Sequence, residues 1–289
     1  RYADRIFVNQ GSYEDGTDPG TMVNGFMAPG PGGTGTDKPE FYEFQLGSRY
    51  SEDGPPHPLV VCWHGYGASD SSVANQSTID EECNSRAMVY LSVTGIDDQL
   101  FGSPISQQNV EAVINYMVDR WNIDADRIYM VGFSMGAGIV SNFAARRRDP
   151  DGLMIAAIGL VSGSFDWTAL YNSGPLSTKF ILENPYNFGG SPEDFPFAYQ
   201  QASGLYFDPT SYLPLPGVYL RHWSMGTNLG DTPTFIMWDT GDPVTYVVDQ
   251  NPFLQSELTS QGGDLYVETV VDTVDPDTGD PAEHSWNVL

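Results

Sequence analysis

Arg127-Ile128-Tyr129-Met130-Val131 reads as a strand, Gly132-Phe133-Ser134-Met135-Gly136 as a turn bounded by glycine, and 137–147 as a helix. A strand, a five-residue corner and a helix in immediate succession hold the middle serine in a strained backbone conformation. Bulky side chains beside it would collide, which accounts for Gly132 and Gly136. The hydroxyl of Ser134 then projects at the positive end of the following helix, a place suited to developing negative charge. Ser134 is therefore the candidate nucleophile. A near-copy, His222-Trp223-Ser224-Met225-Gly226, lacks the first glycine and leaves no room for a helix before the next strand. Ser224 reads as a loop serine.

Outward from this corner, strands and helices alternate. Residues 41–46 alternate as a strand, and Leu59-Val60-Val61-Cys62-Trp63 is a short apolar run of the kind buried on both faces. Residues 71–86 read as one helix, 87–93 as a strand, and 109–121 as a helix with Val110, Val113, Ile114, Met117 and Val118 on one face. Further buried strands are expected at 155–161, 234–238 and 265–271. Such alternation predicts an α/β fold, a mainly parallel central sheet with helices on both faces, in one domain spanning 1–289. Residues 1–38, rich in Gly, Pro, Asp and Thr, read as an extended N-terminal segment. The long aromatic-rich stretch 164–231, punctuated by Pro and Gly, reads as a lid-like insertion.

The loop Trp63-His64-Gly65-Tyr66-Gly67 directly follows a buried strand. By the logic of nucleophile-elbow sites, Tyr66 and Met135 are the expected oxyanion donors through their backbone amides. His64 reads as a residue that shapes this loop beside the substrate. Downstream, the strand at 234–238 runs into Asp239-Thr240-Gly241-Asp242-Pro243-Val244. Asp239 sits where it caps the turn, whereas the chain after Gly241 can turn Asp242 back toward the nucleophile, so Asp242 is favoured as the acid. Four histidines are present, His57, His64, His222 and His284, and only His284 completes the order Ser, Asp, His beyond the last strand. His222 is the rival base.

These residues resemble the esterase and depolymerase branch of the α/β-hydrolase superfamily, which includes polyhydroxybutyrate-depolymerase-like and feruloyl-esterase-like enzymes. The resemblance rests on Pro58-Leu59-Val60-Val61 leading to His64-Gly65, and on 109–136 with Asp124-Ala125-Asp126-Arg127-Ile128-Tyr129 before the elbow. Gly241-Asp242-Pro243-Val244 and His284-Ser285-Trp286 complete it. The Ser-Met-Gly elbow with a Tyr-bearing loop is also similar to bacterial cutinases and other polyester hydrolases. Residues 58–163 carry the likeness well and the remainder carries it in outline. The chain departs from it in 164–231, which matches no pattern, and in stopping five residues after His284 where that family continues into a helix.

The resemblance implies a serine carboxylic ester hydrolase working through an acyl-enzyme, without a cofactor. The aromatics of the insertion, Trp167 and Trp223 among them, suggest an aromatic or short-chain acyl group or a polyester surface. A serine peptidase on the same fold and a non-catalytic binding protein are the competing readings. Calcium at Asp272, Asp275, Asp277 and Asp280, with Glu283 nearby, is the alternative to an acidic turn in that segment. Asp and Glu number 38 against 12 Lys and Arg, a net charge of -26, and the only lysines are Lys38 and Lys179. Such a surface repels nucleic acid and anionic membranes, leaving an ester substrate as the expected partner of a monomer. No run approaches the ~20 apolar residues of a membrane span. Opening on Arg1 suits a processed product, secreted or periplasmic. Cys62 and Cys83 are then either a disulfide or two buried thiols.

Overall fold

The computed structural model describes residues 8–9, 18–148, 152–204, 229, 232–260, 262, 264–270 and 284. Its strands are β1 (Val8–Asn9), β2 (Met22–Met27), β3 (Glu40–Gln45), β4 (His57–Trp63), β5 (Val89–Val93), β6 (Ile123–Phe133), β7 (Ala157–Val161), β8 (Thr234–Asp239) and β9 (Leu265–Val270). The principal helices are α1 (Asp70–Gln76), α2 (Ile79–Ser85), α3 (Pro104–Arg120) and α4 (Met135–Arg146), followed by α5 (Trp167–Ser173), α6 (Leu176–Leu182), α7 (Pro196–Ala202) and α8 (Thr245–Ser260).

All nine strands join one sheet in the order β1-β2-β3-β5-β4-β6-β7-β8-β9. β3 runs antiparallel to both of its neighbours, while every pairing from β5 across to β9 is parallel. In the centre, each residue of β5 and the run from Leu59 to Trp63 in β4 is buried. Alternate side chains of these strands feed two cores, as the pleat requires. Leu59, Val61 and Trp63 join the larger one with Ile114 of α3, Phe143 of α4 and Leu254 of α8. Val60 and Cys62 join the smaller one with Val73 of α1 and Cys83 of α2. Both cysteines are buried free thiols there, and burial pushes Cys83 up to about 12.

Three expectations need correction, and one helix was not anticipated. The span 71–86 is two helices, because Ser77 is extended (φ -145, ψ 173) and its hydroxyl bonds back to the Val73 carbonyl at 2.8 Å. The segment 1–38 contributes β2, where Gly25 pairs with Tyr42 across the ladder. A Cβ on Gly25 would fall 2.2 Å from the Tyr42 ring, so the aromatic covers the glycine. The insertion begins as three short helices rather than a loop, with Phe165, Trp167 and Tyr199 fully buried. Helix α8 has no counterpart in the sequence reading.

Among the described carboxylic acids that lie wholly inside this frame, Glu40 has the most displaced protonation. Glu40, at the start of β3, accepts the Gly95 and Ile96 amides at 2.6 and 2.8 Å. Burial pushes it up to about 8 against the lowering effect of those donors.

Because β4, β6, β7 and β8 are parallel, their carboxyl ends at Trp63, Phe133, Val161 and Asp239 lie along one edge of the sheet. The segments leaving that edge carry Tyr66, Ser134, Met135 and Asp242.

Candidate active site

Ser134 stands between β6 and α4 with φ 53 and ψ -117, one of four non-glycine residues of positive φ among those described. A conformation of that kind costs about 1–3 kcal/mol and persists only where the surroundings dictate it. They do so here through both flanking glycines. A Cβ on Gly132 would lie 2.3 Å from the Gly136 carbonyl oxygen, and one on Gly136 would lie 2.2 Å from that of Trp63. The Ser134 amide donates to the Val161 carbonyl at 2.9 Å, and its carbonyl accepts from Ala137 at 3.1 Å. The corner is thus fastened to β7 and to its own helix, leaving the side chain half-buried at its tip.

The strand β8 ends at Asp239, and the two aspartates that follow it divide the work. Asp239 Oδ1 accepts the Gly241 amide at 2.8 Å, a turn contact. Asp242 Oδ1 accepts the Val244 amide at 2.8 Å, and Asp242 Oδ2 lies 2.7 Å from His284 Nδ1. The Asp242 side chain is 1% exposed, so this pairing is shielded from water. Holding Nδ1 as the protonated nitrogen leaves Nε2 unprotonated in the neutral ring. Nε2 is buried and has no hydrogen-bond partner among the described residues. The imidazole packs on the Phe133 ring with centroids 4.8 Å apart, a contact that gives the residue before Ser134 a task the sequence does not signal.

Ser134 and His284 line one cavity of about 480 Å³. Tyr66 and Met135 line it too. Neither amide donates to a backbone carbonyl among the described residues, and Met135, as the first residue of α4, has no partner within its own helix. The Gly65 loop passes directly over the elbow: a Cβ at Gly65 would meet the Phe133 ring at 2.9 Å and the Ser134 Cβ at 3.5 Å. Tyr66, Met135 and the half-buried Ser134 thus border the same space.

His64 is not beside the substrate space. It is fully buried, with Nδ1 2.7 Å from the Gly65 carbonyl and Nε2 2.9 Å from that of Thr94, and it pins the loop to the end of β5. That corrects its expected contact with substrate. Trp167 does border the cavity, as a wall: it is fully buried, its indole N–H donates to the Ala202 carbonyl at 2.9 Å, and it meets Phe101 edge-on at 5.0 Å. His57 lies elsewhere, bonded to Ala87 and Ser51. Trp223, Ser224 and His222 lie outside the described residues, as do Asp272, Asp275, Asp277, Asp280 and Glu283. Among the described residues no group of three or more His, Cys, Asp or Glu is placed to hold a metal, and no helix is long and apolar enough to cross a membrane.

Further lining comes from Val244 of the Gly241-Asp242-Pro243-Val244 run, and from Phe101, Ser164, Leu170, Thr178 and Tyr246, which no motif announces. Val244 arrives with the loop that delivers Asp242, and Tyr246 with the first turn of α8. Leu170 and Thr178 arrive with the helical insertion.

Neither a protein-family model nor a curated protein matches the sequence. Solved structures do. A ferulic acid esterase superposes with a TM-score of 0.61 at 13% identity, over 93% of this chain and 92% of that one. A hyperthermophilic esterase from the archaeon Pyrobaculum calidifontis gives 0.56 at 16% identity, over 89% of this chain and 78% of that one. An acylaminoacyl peptidase from Pyrococcus horikoshii gives 0.58 at 13% identity, over 94% of this chain but 38% of the peptidase. Esterases and peptidases share this architecture, and the protein has the α/β-hydrolase fold.

Proposed function

We propose that this protein is a serine carboxylic ester hydrolase acting through an acyl-enzyme on Ser134. The observation that carries the reading is the 2.7 Å contact of His284 Nδ1 with the buried Asp242 carboxylate, on a histidine that shares a cavity with Ser134. Asp242 fixes the tautomer in which Nε2 is the base. As Ser134 Oγ attacks the ester carbonyl, Nε2 takes its proton. The tetrahedral oxyanion is met by the Tyr66 and Met135 amides at the amino end of α4, where donors fixed in advance require no reorganisation. The resulting imidazolium, stabilised by Asp242, returns the proton to the leaving alcohol. Water then repeats the sequence to release the acid.

An ester rather than a peptide is supported by the lining of the cavity. Phe101, Phe133, Met135, Trp167, Leu170 and Val244 supply an apolar wall, and among the described residues no Asp, Glu, Lys or Arg borders it to grip a peptide terminus. Acyl groups of short-chain or aromatic acids suit such a space, which is the feruloyl-esterase, depolymerase or cutinase type of substrate.

A fluorophosphonate probe together with p-nitrophenyl esters and peptide anilides tests the reading. The expected result is labelling at Ser134, ester turnover, and loss of several orders of magnitude in Ser134→Ala. Anilide cleavage without ester cleavage would assign a peptidase, and an unlabelled Ser134 would leave a binding protein on a hydrolase scaffold.

A further inference from the structure

The proposed reaction makes no use of Ser164, although that residue borders the same cavity as Ser134. Ser164 lies three residues beyond β7, lines the cavity with Ser134 and His284, and is 7% exposed. Its main chain is held on every side. The amide donates to the Ser134 carbonyl at 3.3 Å, and the next amide, of Phe165, donates to Gln250 Oε1 at 2.6 Å. Its own carbonyl sits against α4, 2.0 Å from where a Cβ on Gly138 would be. The side chain is the exception: Ser164 Oγ is buried and has no hydrogen-bond partner among the described residues. Leaving a buried hydroxyl unmatched costs on the order of 1–3 kcal/mol, whereas an alanine of nearly the same shape would cost nothing. A rigid backbone around an unused donor, in the wall of a substrate cavity, is the arrangement of a group that waits for a ligand atom.

We propose that Ser164 is a specificity-determining residue whose hydroxyl donates a hydrogen bond to an oxygen carried by the acyl part of the substrate. The ligand class is the ester of a hydroxy or alkoxy acid, with that oxygen close to the scissile carbonyl. Two observations set the class. Ser164 is bonded to the main chain of Ser134, so its hydroxyl keeps a fixed place relative to whatever is attached to Ser134 Oγ. The acyl group is what stays attached through both halves of the reaction, while the alcohol leaves after the first. Around this donor the wall is apolar, with Phe133, Met135 and Trp167 nearby in the lining, so a hydrocarbon chain is accommodated without using the hydroxyl. A site built to hydrogen-bond an oxygen discriminates against the analogue lacking it, because the donor is then left buried and unpaired. This inference rests on the acyl-enzyme reading above.

The test compares p-nitrophenyl methoxyacetate with p-nitrophenyl butyrate, whose acyl chains match in length and differ by an oxygen in place of a methylene. The quantity read is the ratio of kcat/KM for the two esters, which cancels any general loss of folding or of active enzyme. In Ser164→Ala the ratio is expected to fall about tenfold relative to wild type, the scale of one neutral hydrogen bond. Ser164→Thr, which keeps the hydroxyl, is expected to retain most of the wild-type ratio. An unchanged ratio in Ser164→Ala, or an equal fall in Ser164→Thr, overturns the proposal while wild-type ester turnover leaves the hydrolase reading standing. Wild-type protein that turns over neither ester overturns both.

Discussion

At the scale of single residues, the two aspartates after β8 show what a carboxylate's surroundings decide. Asp239 and Asp242 are three residues apart and both buried, but only Asp242 reaches His284. Replacing Asp242 by Asn keeps the size and removes the acceptor that selects the Nδ1–H tautomer, so kcat at neutral pH is expected to fall roughly ten-thousand-fold. Asp239→Asn retains an oxygen for the Gly241 amide and is expected to stay within about tenfold of wild type, the span of a disturbed turn contact. Steady-state rates on a p-nitrophenyl ester measure both, and equal losses would show that the acid has been wrongly assigned. The turn that brings Asp242 to His284 was legible in the sequence because Gly241 marks where the chain turns back. The packing of Phe133 on His284 was not, since a ring contact between positions 151 residues apart leaves no local pattern.

At the scale of elements, the elbow was legible because its constraint is steric and local. Strand, turn and helix crowd into so little space that Gly132 and Gly136 have no substitutes. Gly136→Ala sets a methyl 2.2 Å from the Trp63 carbonyl and 2.5 Å from that of His64, both backbone atoms of the loop that carries Tyr66. Relief requires moving that loop, at an expected cost of about 1–3 kcal/mol or more. Urea unfolding with fluorophosphonate labelling checks this; a wild-type midpoint together with wild-type labelling would show that the loop is not packed as described. Elements whose logic is tertiary stayed hidden. β2 contains Asn24-Gly25, a turn signal in isolation, and is a strand because Tyr42 on its partner covers the glycine. Helix α8 contains Pro252, which breaks the pattern by which helices are recognised, and is held by Val247, Leu254 and Leu258 in the larger core. The three described helices between 167 and 202 are each seven residues long, too short for a period to emerge from their sequences.

At the scale of the whole molecule, acidity has two separable parts. Most of the 38 carboxylates contribute to a net charge of -26, whose self-repulsion opposes the compact state as pH rises and is screened by salt. Glu40 is different because its burial pushes it up to about 8 against an ordinary 4.5. The sign follows from proton counting. Below about 4.5 the group is protonated in both states, and above about 8 it is ionised in both. In between, the unfolded chain has lost a proton that the folded chain retains, so stability falls steadily as pH rises through that window. Glu257, pushed up to about 7 by burial, adds a smaller contribution of the same sign. In about 1 M salt, where the Debye length is about 3 Å, the surface part is largely removed and a residual downward slope of Tm between pH 5 and 8 is expected. Glu40→Gln is expected to flatten that slope more than Glu257→Gln does. The slope, not the absolute Tm, is the readout, because the amide also rearranges the contacts to Gly95 and Ile96. A high-salt slope identical in Glu40→Gln and wild type would mean that Glu40 titrates in the folded protein as it does in the unfolded one.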